Sequence, residues 1–267
     1  MTQISILGCG WLGLPLAKAL LQNGFSVNGS TTSTEKLSVL ENSGIRPFEI
    51  ILESDSVSEN TDAFLQGSET LIIDIPPKLR GNSKEDFVGK IETLIPFIEK
   101  SSIENVLFIS STSVYSEADL VVSEETLAQP ETESGRQLLV SEQLLQNNTN
   151  FKTTILRFGG LIGEDRHPVK FLAGRENLDN PDAPINLIHQ EDCLGIIQKI
   201  IANHSWNEVF NAVTPFHPSR KDYYTQKALD LNLDLPKFNT ENPSAGKTIL
   251  SDKIKTVLNY TFTKPNL

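Results

Sequence analysis

The chain has 267 residues, of which 38% are hydrophobic and 21% are charged. This composition is typical of a globular protein with a sizeable core, and it excludes collagen, coiled coil and disorder as descriptions of the whole chain. The net charge of −11 argues against nucleic acid or an anionic membrane surface as a partner, because like charges repel. The apolar run at residues 4–7 is too short for a signal peptide, and no stretch is long enough to span a membrane. The two cysteines, Cys9 and Cys193, lie in apolar segments and predict buried thiols, which suit a reducing cytoplasm.

The chain opens with a short apolar run, a glycine turn and a helical pattern. Residues 4–7 are followed by glycines in the spacing G-x-G-x-x-G, and apolar periodicity then continues to Leu21. In a dinucleotide-binding βαβ unit, the first glycine permits the tight turn, the second lets a pyrophosphate approach, and the third lets the helix pack closely. The alternative is a glycine turn without a ligand. The predicted phosphate-binding residues are Gly8, Gly10, Trp11, Leu12 and Gly13.

The second predicted strand, residues 25–29, runs into the polar segment 30–34. An NAD-selective site usually has an acidic residue at this strand end, but the first acidic residue of this chain is Glu35. Hydroxyl groups with Lys36 nearby suit a 2′-phosphate better, which favours NADP(H) over NAD(H). A polar loop that caps a helix explains the same residues equally well. The expected contacts with the nucleotide are Ser30, Thr31 and Thr32.

Strands and helices continue to alternate along the chain. Strand patterns lie at residues 48–52, 70–75 and 105–110, and helical patterns at residues 34–42 and 86–99. This alternation predicts an α/β fold with a doubly wound parallel sheet. Ligands of such sheets bind beyond the carboxyl ends of the strands. The residues at those ends complete the expected cofactor site: Pro76, Ser110 and Phe158.

Residues 108–115 (Phe-Ile-Ser-Ser-Thr-Ser-Val-Tyr) resemble the extended short-chain dehydrogenase/reductases, the NAD-dependent epimerase/dehydratase family. Residues 155–163, 187–197 and 209–212 are similar to that family's sixth strand, its H-x-x-D helix start and a late strand. The resemblance covers nearly the whole chain and implies a Rossmann fold with a small C-terminal substrate lobe. It implies a Rossmann core at 1–163 and a lobe mainly at 164–267, with 186–213 returning to the core.

The chain departs from that family at three places. The family's usual glycine motif is G-x-x-G-x-x-G, whereas this chain has G-x-G-x-x-G at residues 8–13. After the fourth strand, where the family usually has small residues, this chain has Pro76 and Pro77. The family's catalytic Tyr-x-x-x-Lys pair is missing, because Ser134 and Leu138 hold the matching positions. No tyrosine occurs between residues 115 and 223, so the loss does not depend on the alignment. The chain in these respects resembles the atypical, YeeZ-like subgroup of the superfamily.

Two residues are candidates for the remaining chemistry. Ser111 matches the family's catalytic serine, which hydrogen-bonds the reacting oxygen; the alternative is a serine that caps the turn after its strand. Tyr115 is the nearest phenol and a candidate proton donor; the alternative is a tyrosine packed under the loop. Ser134 is too weak an acid or base to replace the missing tyrosine.

Three basic residues are candidates for binding an anionic substrate: Arg136, Arg166 and His167. The alternatives are a solvated arginine at a helix start and an ordinary charged loop. His189 and Asp192 are expected to be structural, with Asp192 near a helix N-terminus. The four histidines are scattered without ligand spacing, so no metal site is expected.

The resemblance implies an NADP(H)-dependent oxidoreductase or epimerase-like enzyme that acts on an unidentified small molecule. The alternative is a catalytically degenerate sensor or regulatory module that binds the nicotinamide nucleotide without turnover. The helices at residues 85–100 and 135–147 resemble those that pair family members into homodimers. The alternative is that the apolar face of the second helix simply packs on the sheet.

Overall fold

The computed structural model describes residues 2–79, 85–118, 121–242 and 244–267. Its strands are β1 (Gln3–Leu7), β2 (Ser26–Thr31), β3 (Arg46–Glu49), β4 (Thr70–Ile73), β5 (Asn105–Ser111), β6 (Val121–Val122), β7 (Lys152–Phe158), β8 (Gly160–Ile162), β9 (Leu187–His189), β10 (Val209–Ala212) and β11 (Thr248–Ile249). Its α-helices are α1 (Gly13–Gln22), α2 (Leu37–Glu41), α3 (Thr61–Leu65), α4 (Phe87–Lys100), α5 (Glu133–Gln146), α6 (Val169–Leu172), α7 (Gln190–Ala202), α8 (Arg220–Asp230) and α9 (Asp252–Leu258). Within the described ranges, no helix is both long and apolar enough to cross a membrane.

Seven strands form one parallel sheet in the order β10-β7-β5-β4-β1-β2-β3. Ile6 of β1 lies between its partners Gly29 of β2 and Ile72 of β4. The chain runs outward from β1 to β3 and then resumes at β4 on the other side of β1. This reversal opens a crevice above the carboxyl ends of β1 and β4, where ligands of doubly wound sheets bind. The predicted doubly wound parallel sheet is confirmed.

Apolar helix faces cover both sides of the sheet. On one side, α1, α7 and α9 pack their buried residues, including Leu16, Ile196 and Ile254, against the strands. On the other side, the α4 and α5 faces, with Ile91 and Leu138, form a second cluster. Parallel strands buried on both faces are stable only when helices cover both faces in this way.

Two sequence predictions differ from the structure at the sheet edge. The predicted strand at 48–52 is observed as Arg46–Glu49, and the second strand extends to Thr31. Pro47 lacks an N–H group, but β3 is the edge strand of the sheet and tolerates the missing donor. The extension of β2 brings the expected nucleotide contacts Ser30 and Thr31 into the sheet itself.

A smaller lobe with its own apolar cluster stands beyond the carboxyl ends of the strands. Its core joins Val169 of α6 to Tyr223, Tyr224 and Ala228 of α8. The segment α9 lies inside the predicted lobe range, yet it packs on α7 in the main core. Two helices after residue 164, α7 and α9, thus pack with the main sheet.

The buried carboxylate of Asp192 fastens the C-terminal segment to α7. Asp192 lies in the first turn of α7 and accepts hydrogen bonds from the Tyr260 hydroxyl (2.8 Å), the Thr263 amide (2.6 Å) and hydroxyl (2.8 Å), and the Lys264 amide (3.1 Å). A charged acceptor at a helix N-terminus is also stabilised by the helix dipole. This arrangement supports the structural role expected of Asp192.

We predict that Asp192→Asn destabilises the fold by about 2–4 kcal/mol, because the amide nitrogen cannot accept a hydrogen bond and meets at least the Lys264 amide, which donates to Oδ2. Urea denaturation of the purified variant measures the change. The control is Glu191→Gln, since the neighbouring Glu191 side chain is 54% exposed and its contact with Lys264 is a surface ion pair. Equal unfolding midpoints for the two variants would contradict this account.

Candidate functional site

The turn after β1 touches the ends of both neighbouring strands. The Gly8 amide donates to Ser30 Oγ (2.9 Å), and the Cys9 amide donates to the Ser30 carbonyl (2.7 Å). Gly8 has a φ of +106°, and a Cβ there would lie 2.3 Å from the Asp74 carbonyl oxygen. Only glycine meets both demands, because an L side chain is strained at that φ and has no space.

The other two glycines of the motif have different surroundings. A Cβ on Gly13 would lie 2.2 Å from the Gly8 carbonyl oxygen, so this glycine lets α1 start directly against the turn. A Cβ on Gly10 would meet no atom within 4 Å. The space in front of Gly10 is open, and a ligand can reach the backbone there.

Two backbone amides beside this space are suited to an anion. Within the described ranges, the amides of Trp11 and Leu12 donate to no protein acceptor, and Leu12 is an N-cap without a side-chain cap. Unpaired amides at the start of a ten-residue helix favour a phosphate group. The loop therefore fits the pyrophosphate of a dinucleotide, with Gly10 permitting its close approach.

An acidic residue lies beside the same loop. Asp74 directly follows β4, and its carboxyl faces the Gly13 amide, which donates a hydrogen bond to it. Burial raises the pKa of Asp74 to about 8, although the Gly13 hydrogen bond opposes the rise. Pro76, two residues further on, is exposed at the mouth of the crevice.

Hydroxyl groups at the end of β2 and just after it already make hydrogen bonds within the protein. The Thr31 hydroxyl accepts from the Ser33 amide (3.2 Å), and the Thr34 hydroxyl donates to the Glu49 carboxylate (3.0 and 3.1 Å). Thr32 is exposed. Glu49 ends β3, so the neighbouring strand brings an acidic group to the edge where β2 has none.

A buried polar network lies at the carboxyl end of β5 and just after it. Ser110 Oγ donates to Glu142 (2.5 Å), and the Arg157 guanidinium holds both oxygens of that carboxylate (Nε 3.1 and 3.2 Å, Nη2 2.5 Å). Arg157 also donates to the Tyr115 hydroxyl (2.7 Å), which donates to Asn211 (2.9 Å). These bonds join α5 to three neighbouring strands of the sheet.

This network argues against two of the expected roles. Tyr115 is 1% exposed and its hydroxyl is fully bonded, so it does not offer a proton to a ligand in the crevice. Burial also raises the Tyr115 pKa. The Ser110 hydroxyl is committed to Glu142, and Phe158 is a core side chain at 2% exposure. Any contact of Ser110 or Phe158 with a cofactor must come from the backbone.

Ser111 lies half-buried where β5 ends, and its hydroxyl accepts from the Ser113 amide (3.2 Å). The serine therefore caps the turn after its strand. On α5, Leu138 is a buried core residue, and Arg136 is exposed and paired with Glu133 (2.9 Å). Arg136 thus has the surroundings of a solvated arginine at a helix start.

The loop at residues 163–167 closes against the glycine turn through Trp11. The Trp11 indole N–H donates to Asp165 (2.9 Å), and the Arg166 guanidinium lies 5.0 Å from the centre of the indole ring. Gln190 donates to the Trp11 carbonyl (2.6 Å). Arg166 is consequently held next to the phosphate-binding loop, where a cation suits an anionic ligand.

His167 turns away from this contact into the lobe. Its Nδ1 accepts from the Val169 amide (3.2 Å), and its Nε2 lies 2.9 Å from the Tyr223 hydroxyl. Burial and the nearby cations Lys227 and Lys170 lower the pKa of His167 to about 4. A neutral imidazole does not attract an anion, so these surroundings do not support the expected substrate contact.

The sequence analysis missed three features of the site: Asp74 beside Gly13, the Glu142–Arg157 pair, and the Trp11–Asp165 contact. Each joins residues that are distant along the chain. The one available signal was the acidic residue at the end of an otherwise apolar strand before two prolines. Among the described residues, no group of three or more His, Cys, Asp or Glu side chains is placed to hold a metal ion. Cys9 and Cys193 are free and buried.

Comparisons with known proteins agree with this architecture. Protein YeeZ of Escherichia coli K12 is 33% identical over 268 aligned residues, which cover 100% of this chain and 97% of YeeZ. No protein-family model matches the chain.

Solved structures show the same fold. A conserved protein of unknown function from Silicibacter pomeroyi superposes with a TM-score of 0.80 at 22% identity, over 100% of this chain and 95% of its own. UDP-glucuronic acid 4-epimerase from Bacillus cereus, solved in complex with NAD, gives 0.78 at 20% identity, over 98% of this chain and 94% of its own. The chain belongs to the family of protein YeeZ.

Proposed function

We propose that the protein binds a nicotinamide dinucleotide in the crevice above β1 and β4. The observation that carries this proposal is the open space at Gly10 beside the unpaired amides of Trp11 and Leu12. These amides would hold the pyrophosphate, and Arg166 would add a positive charge from the covering loop. The NAD in the epimerase from Bacillus cereus supports the proposal, because that enzyme has the same fold.

The form of the dinucleotide depends on the edge formed by β2 and β3. The expectation of NADP(H) rests on the hydroxyl groups of residues 30–32 and on the absence of an acidic residue in β2. Glu49 argues against NADP(H), because a carboxylate at this edge repels a 2′-phosphate and accepts hydrogen bonds from ribose hydroxyls. The preference for NADP(H) stays a prediction, as does the homodimer.

The test is calorimetric titration of the nucleotide-free protein with NADPH and with NADH, alongside Gly10→Val. We expect micromolar binding of at least one dinucleotide, with NADPH the tighter ligand. Gly10→Val should weaken binding at least tenfold, because its side chain would fill the space where the pyrophosphate approaches.

The Gly10 variant is chosen because it should still fold. No atom lies near the new Cβ, and Gly10 is not among the glycines with positive φ. Thermal unfolding of the variant provides the control, and its midpoint should match that of the parent protein. Failure of both dinucleotides to bind the parent protein would contradict the proposal.

Two functions are compatible with such a site, a binding module and an enzyme. The surroundings of Leu138 and Tyr115 favour binding of the dinucleotide without the proton transfer of the extended short-chain dehydrogenase/reductases. Nicotinamide dinucleotides supply hydride transfer when bound, but the family reaction also needs a proton donor near the substrate. Here Leu138 is buried in place of the lysine, and Tyr115 is sealed in the core. We therefore infer a nucleotide-binding sensor or regulatory module as the leading function.

A specific observation favours the second candidate, an oxidoreductase or epimerase-like enzyme. Ser111 remains at the carboxyl end of β5 with its side chain half-buried, so its hydroxyl can reach a small molecule in the crevice. In such an enzyme Ser111 would orient the reacting oxygen, and the proton would come from water or from the substrate.

For the enzyme hypothesis we predict NADPH-dependent reduction of at least one carbonyl compound, lowered at least a hundredfold in Ser111→Ala because the oriented hydroxyl is lost. Absorbance at the nicotinamide band follows the reaction across a panel of small aldehydes and ketones. Ser113→Ala, in the same turn, is the matched control and should keep its rate. Binding without turnover across the panel would leave the sensor function.

A further inference from the structure

Asp74 lies against the proposed phosphate-binding turn (residues 8–13) with both its backbone and its side chain. Its amide donates to the Leu7 carbonyl (2.8 Å), which continues the pairing of β1 with β4. Its carbonyl oxygen lies 2.3 Å from the position of a Cβ on Gly8, and its Oδ2 lies 3.1 Å from that of a Cβ on Gly13. The carboxyl is thus held in place at the entrance to α1.

The surroundings of this carboxyl offer it little to balance a negative charge. The Gly13 amide donates to it from the first turn of α1. The titratable groups with which it interacts electrostatically are the thiols of Cys9, from the glycine turn, and Cys193, from α7. Burial raises the pKa of both thiols, that of Cys9 to about 12, so they stay neutral near pH 8.

A dinucleotide pyrophosphate would bring a second negative group to the same helix end. The amides of Trp11 and Leu12 immediately precede the Gly13 amide that Asp74 occupies. Two anions a few ångströms apart in a partly desolvated site cannot both stay charged without a large cost in free energy. A protonated carboxyl removes the repulsion and supplies an O–H donor at the same point.

We propose that Asp74 is the proton-linked element of the dinucleotide site: it accompanies the bound pyrophosphate as a neutral acid, and binding takes up a proton whenever Asp74 is ionised in the free protein. This inference rests on the proposed dinucleotide function and deepens it. Where Asp74 is ionised in the free protein, the complex carries one more proton, on the Asp74 carboxyl. The charge of the dinucleotide does not change.

The direction of the pH dependence follows from the free protein. Below about pH 7, Asp74 already carries its proton, and binding takes up none. Above about pH 8, the free carboxyl is ionised and must be protonated on binding. The affinity therefore falls as the pH rises, by up to about tenfold per pH unit, until the pKa of Asp74 in the complex is reached.

The experiment is titration of the nucleotide-free protein with NADPH and with NADH at about pH 7 and about pH 9, in two buffers of different ionisation enthalpy. The difference in heat between the buffers gives the number of protons taken up. For the parent protein we expect no uptake at the lower pH and close to one proton at the higher pH. Asp74→Asn should take up none at either pH.

The affinity of the Asp74→Asn variant for the dinucleotide distinguishes the proposed role of Asp74 from a purely structural one. An amide cannot ionise, so this variant should bind about tenfold more tightly than the parent protein at about pH 9 and comparably at about pH 7. Asp62→Asn is the matched control, because Asp62 is exposed on α3 and its replacement makes the same change of net charge at about pH 9. It should keep the parent protein's proton uptake. Thermal unfolding shows that both variants fold.

The outcomes separate this inference from the function on which it rests. Binding of either dinucleotide without proton uptake at the higher pH overturns the inference and leaves the function standing. Loss of binding in Asp74→Asn at both pH values also overturns it, because Asp74 would then act as an ionised acceptor. No binding of either dinucleotide by the parent protein refutes both.

Discussion

The close approach of backbone to backbone at the turn between β1 and α1 is the constraint on which the rest of the site depends. Gly8 contacts the end of β4, and Gly13 contacts Gly8, at separations that no Cβ permits. The turn is therefore fixed between the ends of β2 and β4 before any ligand is present. Among the described residues, the amides of Trp11 and Leu12 then have no acceptor, and unpaired amides at a helix start favour an anion.

The catalytic Tyr–Lys pair of the extended short-chain dehydrogenase/reductases has no counterpart at the matching positions of this chain. The matching positions on α5 hold Ser134 and the buried Leu138, and Glu142 is buried further along the same helix. Arg157 pairs with Glu142 and also donates to the Tyr115 hydroxyl, so the Tyr115 phenol contributes to the core. A charged pair that is this enclosed contributes little net stability but is costly to break, because one partner would be left buried and unpaired. The Tyr115 hydroxyl is therefore engaged within the core.

Local sequence patterns were sufficient for the elements but not for the contacts between them. The glycine spacing predicted the strand, turn and helix, because each glycine meets a local backbone demand. The strand at 48–52 was displaced because the rules that exclude proline from strands do not apply at an edge. The return of α9 to the core and the approach of Asp74 to Gly13 depend on tertiary packing, for which periodicity carries no signal. The resemblance to the family supplied the order of the late strands.

The site residues show the same division. The sequence placed Trp11 in the phosphate loop but gave no sign that Asp165 would bind its indole, since the two are far apart in the chain. It identified Ser111 by position, and the structure shows a hydroxyl that caps its own turn. Tyr115 and His167 were selected for their chemistry, and burial deprives both of the role expected from it. Residue type indicates what a side chain can do, whereas its environment decides whether it can do it.

The crystal structure of the protein grown with NADPH tests the central claim most directly. The account predicts the diphosphate within hydrogen-bonding distance of the Trp11 and Leu12 amides, in van der Waals contact with the Gly10 backbone. A dinucleotide bound elsewhere on the molecule, or a diphosphate that does not contact these amides, would contradict it.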